Sequence, residues 1–181
     1  MRPRLGRILT PSSALALALL LGSGPSLASA DDACAGFKWD VSQERTLFGS
    51  SALAQPAGKD VTSATNILSN RLYELQLAPQ SQVIFSVPPG KKTADGGYAG
   101  LAALKVPASG SYRFSLDLPF WIDVVINSKL VPAKDYEGQK GCNAPHKIVV
   151  FDVDANQKIL VQISGASQPV VRLTVTRVSG G

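Results

Sequence analysis

The stretch that decides the fold is residues 109–135, SGSYRFSLDLPFWIDVVINSKLVPAKD. Up to Pro119, aromatic and aliphatic residues alternate with polar ones, and a second alternation occupies residues 121–126. A period of two places successive side chains on opposite faces of a strand. Asn127-Ser128 is a typical turn sequence. The stretch therefore predicts two paired strands followed by a hairpin.

Similar patterns recur along the rest of the chain. Residues 42–49 are expected to form a short helix that is capped by Asp40 or Ser42 and ends at Gly49. Eight or nine short strands with little helix predict an all-β fold: an antiparallel two-sheet β-sandwich, jelly-roll-like, with one short N-terminal helix. The further predicted strands are residues 37–41, 73–77, 83–87, 98–106, 148–153, 159–163 and 171–176.

The first 30 residues have the layout of a secretory signal peptide. Three arginines precede an apolar run at residues 14–21, and the small-residue triplet Ala28-Ser29-Ala30 follows as a cleavage site. The apolar run is shorter than the ~20 residues that a membrane helix needs. The predicted organisation is a signal peptide at 1–30 and a single β-sandwich domain at 31–181, periplasmic or secreted, with no membrane span.

Charge excludes one class of partner. Removing residues 1–30 takes away three arginines and no acidic residue, which lowers the formal net charge from +5 to +2. The remaining basic residues are scattered, and only Lys91-Lys92 are adjacent. A chain with this balance lacks the basic patch typical of nucleic-acid binding, so no nucleic-acid partner is expected.

The two cysteines, Cys34 and Cys142, predict a disulfide, because an exported protein folds in an oxidising compartment. In the chain-entropy model, a crosslink that closes so long a loop stabilises the fold by up to ~4.7 kcal/mol. The alternative is a metal-bound or catalytic thiol, which would need further ligands or a cysteine–histidine pair.

Two segments resemble known modules. Residues 109–131, with Gly110-x-Tyr112-x-Phe114 followed by Trp121-Ile122-Asp123, resemble PA14 and carbohydrate-binding jelly-roll modules, and residues 158–178 are similar to the closing strands of pre-peptidase C-terminal domains. The resemblance implies a sandwich that binds a ligand. Where the sugar-binding modules carry an acidic or calcium-binding pair, this chain has Leu118-Pro119-Phe120, so no sugar or calcium ligand is carried over.

The whole chain also resembles small exported proteins of unknown function from Gram-negative bacteria, some of which carry the label homogentisate 1,2-dioxygenase. That enzyme holds ferrous iron with two histidines and a carboxylate, since two imidazoles leave open positions for oxygen and substrate. This chain contains one histidine, His146. The residues therefore do not support the label, and no cofactor is expected.

His146 is the candidate for the alternative function, a metal-assisted enzyme of the oxygenase or hydrolase type. A general base needs an orienting carboxylate, and Asp123, Asp135 and Glu137 are the acids that a loop could bring near it. The competing interpretation is a structural hydrogen bond at a loop-to-strand junction.

Asp152-x-Asp154-x-Asn156 has the alternating oxygens of a calcium loop, which makes Asp152 and Asp154 further metal candidates. The match fails at Gln157, where the loop requires glycine, and no bidentate glutamate follows at the expected position. A strand end and turn, in which Asp and Asn bond to their own backbone, is the competing interpretation.

Trp121, Asp123 and Tyr136 are the candidate binding residues. Trp121 and Asp123 share one strand face, and an aromatic ring beside a carboxylate is a combination that binds sugars; a core position for the ring is the alternative. Two loop clusters add cations, Lys91-Lys92 with Tyr98 and Lys134 with Tyr136. The leading hypothesis is a non-catalytic periplasmic or secreted binding module whose partner is an envelope glycan or an envelope protein.

Overall fold

The computed structural model describes residues 33–91 and 96–178. The predicted signal peptide lies outside the described residues. The described chain is an all-β two-sheet sandwich with a short helix, α1 (Ser42–Phe48), near its start, which confirms the predicted fold class.

Twelve strands make up the two sheets of the described chain. They are β1 (Leu53–Pro56), β2 (Thr65–Ile67), β3 (Tyr73–Gln76), β4 (Ala78–Pro79), β5 (Tyr98–Leu104), β6 (Gly110–Leu116), β7 (Trp121–Ile126), β8 (Lys129–Val131), β9 (Asp135–Gly138), β10 (Lys147–Val153), β11 (Ile159–Ala166) and β12 (Val170–Arg177). The first sheet has the order β1-β3-β12-β6-β10-β9, and the second β2-β5-β11-β7-β8 with β4 added on β5.

Both sheets are mixed rather than wholly antiparallel. β1 pairs with β3 and β2 pairs with β5 in parallel, while the other pairings of the named strands are antiparallel. The parallel pairs arise because the chain crosses to the opposite sheet between β1 and β3, and again between β2 and β5, and returns in its original direction. The jelly-roll-like strand order stays a prediction.

The deciding stretch forms the predicted strands, but they do not pair with each other. β6 lies between β10 and β12 in the first sheet, and β7 lies between β8 and β11 in the second. The connection at 117–120 carries the chain across the sandwich, so the apolar sides of β6 and β7 face each other through the core. Phe114 and Phe151 meet there edge to face, with ring centroids 5.3 Å apart. The β7–β8 hairpin is confirmed, with positive φ at Asn127 and Ser128.

The outer face of the first sheet is covered by residues 33–49, here called the N-terminal layer. The strand expected at 37–41 is wrong: Phe37 and Val41 instead pack with Ile148 around the disulfide between Cys34 and Cys142, which is confirmed. An alternating segment needs a strand partner as well as an apolar side, and this one lies on top of a sheet rather than at its edge.

The N-terminal layer also buries polar groups of β12, whose alternation of apolar and polar residues indicates that the threonines point outward. Thr174 and Thr176 do point outward, but α1 covers them and both are fully buried. Glu44 of α1 is 1% exposed; its Oε1 accepts a hydrogen bond from Thr176 Oγ1 at 2.5 Å and lies 3.5 Å from Arg113 Nη1. A buried ion pair therefore joins the helix to the sheet beneath it.

The outer face of the second sheet is covered by residues 83–91, here called the strap. The strand expected at 83–87 is wrong, because these residues lie across the sheet with their apolar side chains on Leu101, Val125 and Leu160. The backbone of an extended segment needs hydrogen-bond partners. Fully buried Gln162 supplies them: its Oε1 accepts from the Ser86 amide at 2.7 Å and its Nε2 donates to the Val87 carbonyl at 3.2 Å.

Candidate functional site

A cleft of about 740 Å³ opens where the β7–β8 edge of the second sheet faces the β9–β10 edge of the first. Its floor reaches the core side chains of Ile122, Val149 and Phe151, and the lining residues from both sheets are mostly apolar. A cleft forms here because β8 and β9 are short edge strands that do not close over the inner faces of their neighbours.

Trp121 forms one wall of this cleft. It is half-buried, and its indole Nε1 donates a hydrogen bond to Asp123 Oδ1 at 2.9 Å, so the ring is held in one orientation. Two cations flank the ring: the ammonium of Lys147 lies 5.3 Å from its centroid and that of Lys91 lies 5.6 Å from it. Both distances are within the range of a cation–π interaction.

Asp123 shares the outer face of β7 with Trp121, as the alternation indicated, but it is 7% exposed because the strap covers it. Its second oxygen, Oδ2, accepts a hydrogen bond from the Gly90 amide at 3.0 Å. A Cβ at residue 90 would lie 2.8 Å from Asp123 Oδ1, so a larger residue there would push the carboxylate from this position. No arginine takes part in these contacts, and Arg113 pairs with Glu44 on the first sheet.

Lys147 is a site residue that the sequence analysis missed. It precedes Val149 and Phe151 at a spacing of two on β10, so its side chain starts from the core-facing side of the first sheet. The half-buried ammonium donates a hydrogen bond to the Phe120 carbonyl at 3.1 Å. Loss of solvent, and secondly the charge of Lys91, lower the pKa of Lys147, whereas Asp123 opposes this shift. The sequence signal that could have identified Lys147 is its spacing of two from the core residues Val149 and Phe151 on the same strand.

Tyr136 completes the set of predicted binding residues. It lies opposite Val149 in the β9–β10 register, and its side chain, 68% exposed, lines the same cleft. The structure therefore brings Trp121, Asp123 and Tyr136 together. In the first predicted lysine–tyrosine cluster, Lys91 lines the cleft and Lys92 lies outside the described residues. In the second cluster, Lys134 pairs with Asp152.

His146 contacts a backbone carbonyl of its own loop. It is half-buried, and its Nδ1 lies 3.0 Å from the carbonyl oxygen of Cys142, four residues earlier. The carboxylates expected to approach it contact other groups: Asp135 pairs with Lys38 at 2.7 Å, and Glu137 accepts from the Lys38 amide at 2.8 Å. The metal-assisted alternative stays a prediction.

The other predicted metal ligands are also separated from His146. Asp152 accepts hydrogen bonds from Ser111 and Lys134, and these two contacts, Ser111 first, hold its pKa below the usual range. Asp154 is exposed, and Asn156 has a positive φ of 62°, as the turn interpretation requires. Within residues 33–91 and 96–178, no three His, Cys, Asp or Glu side chains are grouped so that they could hold a metal ion.

The disulfide bears on where the chain works. The disulfide is typical of proteins outside the reducing cytosol. In the described ranges, no helix combines the length and hydrophobicity needed to cross a bilayer.

Comparison of the sequence with protein-family models and with curated proteins finds no match in either.

Proposed function

We propose that this protein is a non-catalytic binding module of the periplasm or the extracellular medium, and that its ligand occupies the cleft beside Trp121. The observation that carries the proposal is the position of the ring: Asp123 fixes it by a hydrogen bond at the wall of a cavity of about 740 Å³. Small-molecule sites are typically concave, largely apolar and about 300–1,000 Å³ in volume.

The fixed ring suits the partner classes expected from the sequence. A glycan from the cell envelope would stack a sugar ring on the indole, whereas an envelope protein would insert an apolar side chain between the two sheet edges. In either case little conformational entropy is lost on binding, because Trp121 already has its orientation.

The test compares the two tryptophans of the chain, Trp39 and Trp121. The purified protein is incubated with glycan and lipid fractions of a bacterial envelope, desalted and examined by native mass spectrometry for retained molecules. Trp121→Ala should lose them, and Trp39→Ala, which removes an equally half-buried ring outside the cleft, should retain them.

Thermal unfolding separates loss of binding from loss of structure. The midpoint of Trp121→Ala without ligand should stay close to that of the wild type, because the ring lines an open cleft and is only half-buried. A large fall in the midpoint would assign the ring to the core instead. Retention of the same molecules by Trp121→Ala, or by neither protein, would contradict the proposal.

A further inference from the structure

Neither lysine of the cleft pairs with a carboxylate of residues 33–91 and 96–178. Among the described residues, no carboxylate lies within ion-pair distance of Lys91 or Lys147, although four such pairs join other lysines and arginines. The charge of Asp123 acts on Lys147, but the two oxygens of Asp123 already accept hydrogen bonds from Trp121 and Gly90. The partly buried ammonium of Lys147 has a backbone carbonyl and an aromatic ring as its neighbours but no opposite charge, so a bound anion would offset part of its desolvation cost.

The walls below the lysines have a different chemistry. Phe120, Val131, Val149 and Phe151 line the cleft with apolar side chains that continue into the core. A polyhydroxylated ligand would leave its hydroxyl groups without partners against such walls, which is costly. An aliphatic or aromatic body would instead remove apolar surface from water.

Resting on the binding function proposed above, we propose that the ligand is an anionic amphiphile: a carboxylate that pairs with Lys147 and Lys91, on an apolar body that passes Trp121 and lies between the sheet edges. The head group and body correspond to the two parts of the cleft, the cations beside the indole ring and the apolar floor. Such a carboxylate could come from an aliphatic acid or from an aromatic acid, and the experiment separates these sources.

The experiment uses Trp121 as its own reporter. In a Trp39→Phe background the chain contains one tryptophan, so emission reports on the cleft alone. The probes are octanoate, octan-1-ol and octylammonium, which share a chain length and differ in charge, together with 4-phenylbutanoate as the aromatic acid. Octanoate should give a saturable change, and octan-1-ol should bind about tenfold more weakly or worse, the usual size of a charge-assisted contact. Octylammonium should give no saturable change.

Three lysine variants locate the head group. Lys147→Met should lose most of the preference for octanoate over octan-1-ol, with Lys91 retaining the remainder, and Lys147→Arg should keep most of the preference because it keeps the charge. Lys158→Met is the matched control, since Lys158 is exposed beside Ile159, at the opposite end of β11 from the residue that pairs with Trp121. The thermal midpoint of each variant is recorded, so that a variant that fails to fold is recognised. If Lys147→Met fails to fold, the affinities of Lys147→Arg are used instead.

The outcomes distinguish the ligand class from the function. Equal affinity for octanoate and octan-1-ol, or a preference that is undiminished in Lys147→Met, would overturn the anionic amphiphile. If neither acid binds but an envelope molecule is still retained in a Trp121-dependent manner, the ligand class is wrong and the binding function stands. If nothing is retained, both proposals fall. Tighter binding of 4-phenylbutanoate than of octanoate would identify the aromatic acid as the source.

Discussion

Trp39 and Trp121 occupy comparable settings, but the cations beside the two rings differ in whether they pair with an acidic residue. Both are half-buried, and two cations flank each ring, Lys38 and Arg113 at Trp39 against Lys91 and Lys147 at Trp121. At Trp39 each cation has an acidic partner: Lys38 pairs with Asp135 at 2.7 Å and Arg113 with Glu44 at 3.5 Å. At Trp121 the described residues offer neither lysine such a partner.

The difference lies in what surrounds each ring. The N-terminal layer holds Trp39 on a sheet face, with the disulfide on one side and the buried Glu44 on the other, so its charges are already neutralised. Trp121 lies where two sheets end and a cavity begins. The same residue types therefore form ion pairs within the fold in one region and leave their cations without a described carboxylate in the other, as the proposed ligand requires.

The largest effect on stability is expected from removal of the disulfide in the N-terminal layer. Replacing Cys34 and Cys142 by serine should lower the free energy of unfolding by about 4 kcal/mol, because the crosslink joins residues 108 apart and restricts the unfolded chain. Denaturant unfolding followed by circular dichroism measures the loss. Ligand retention at Trp121 should persist under native conditions, and its disappearance in a folded variant would show that the two regions depend on each other.

The next effect concerns the buried ion pair. Glu44→Ala should cost about 3 kcal/mol, since it leaves Arg113, whose side chain is 14% exposed, without its carboxylate. Asp135→Asn is the control, because it breaks the exposed ion pair of the other cation and should leave the unfolding midpoint nearly unchanged. In Glu44→Ala/Arg113→Ala the cost should be smaller than the sum of the single costs. Additive costs would mean that the pair does not stabilise the N-terminal layer.

The smallest effect is expected at Lys147 and depends on pH. Its pKa in the folded protein is below the ordinary value of 10.5, so the unfolded chain binds the proton more tightly. Wild-type stability should therefore rise with pH from the folded pKa up to about 10.4. Lys147→Met should be slightly more stable than wild type at neutral pH, with the gap closing near the upper end of that window. Urea midpoints at several pH values measure it, and a gap that widens with pH would refute the assignment.

Local alternation predicted the sandwich because it records which side of a segment is apolar. It could not record what lies on the other side. Residues 37–41 and 83–87 alternate like strands, yet both cover outer sheet faces, and the chain distant in sequence decides this. The same local alternation indicates the outward face for Thr174 and Thr176, but their burial follows from α1, which lies more than a hundred residues earlier.

The cleft was predictable in part. The shared face of Trp121 and Asp123 follows from their spacing of two on one strand. The contribution of Lys147 required knowing which face of β10 is internal and that β7 of the other sheet lies opposite its first residue. Neither is encoded within a short window, because the two strands belong to different sheets.

The two oxygens of Asp123 have separate tasks, one orienting the indole and the other securing the end of the strap at Gly90. An alanine scan of the cleft would thus record Asp123 among the strongest losses of affinity, although both oxygens already accept protein hydrogen bonds. Its loss would act by releasing Trp121 to rotate and the strap to lift. A screen would therefore identify Asp123 as a residue that contacts the ligand, although its effect on affinity comes from holding Trp121 and the strap in position.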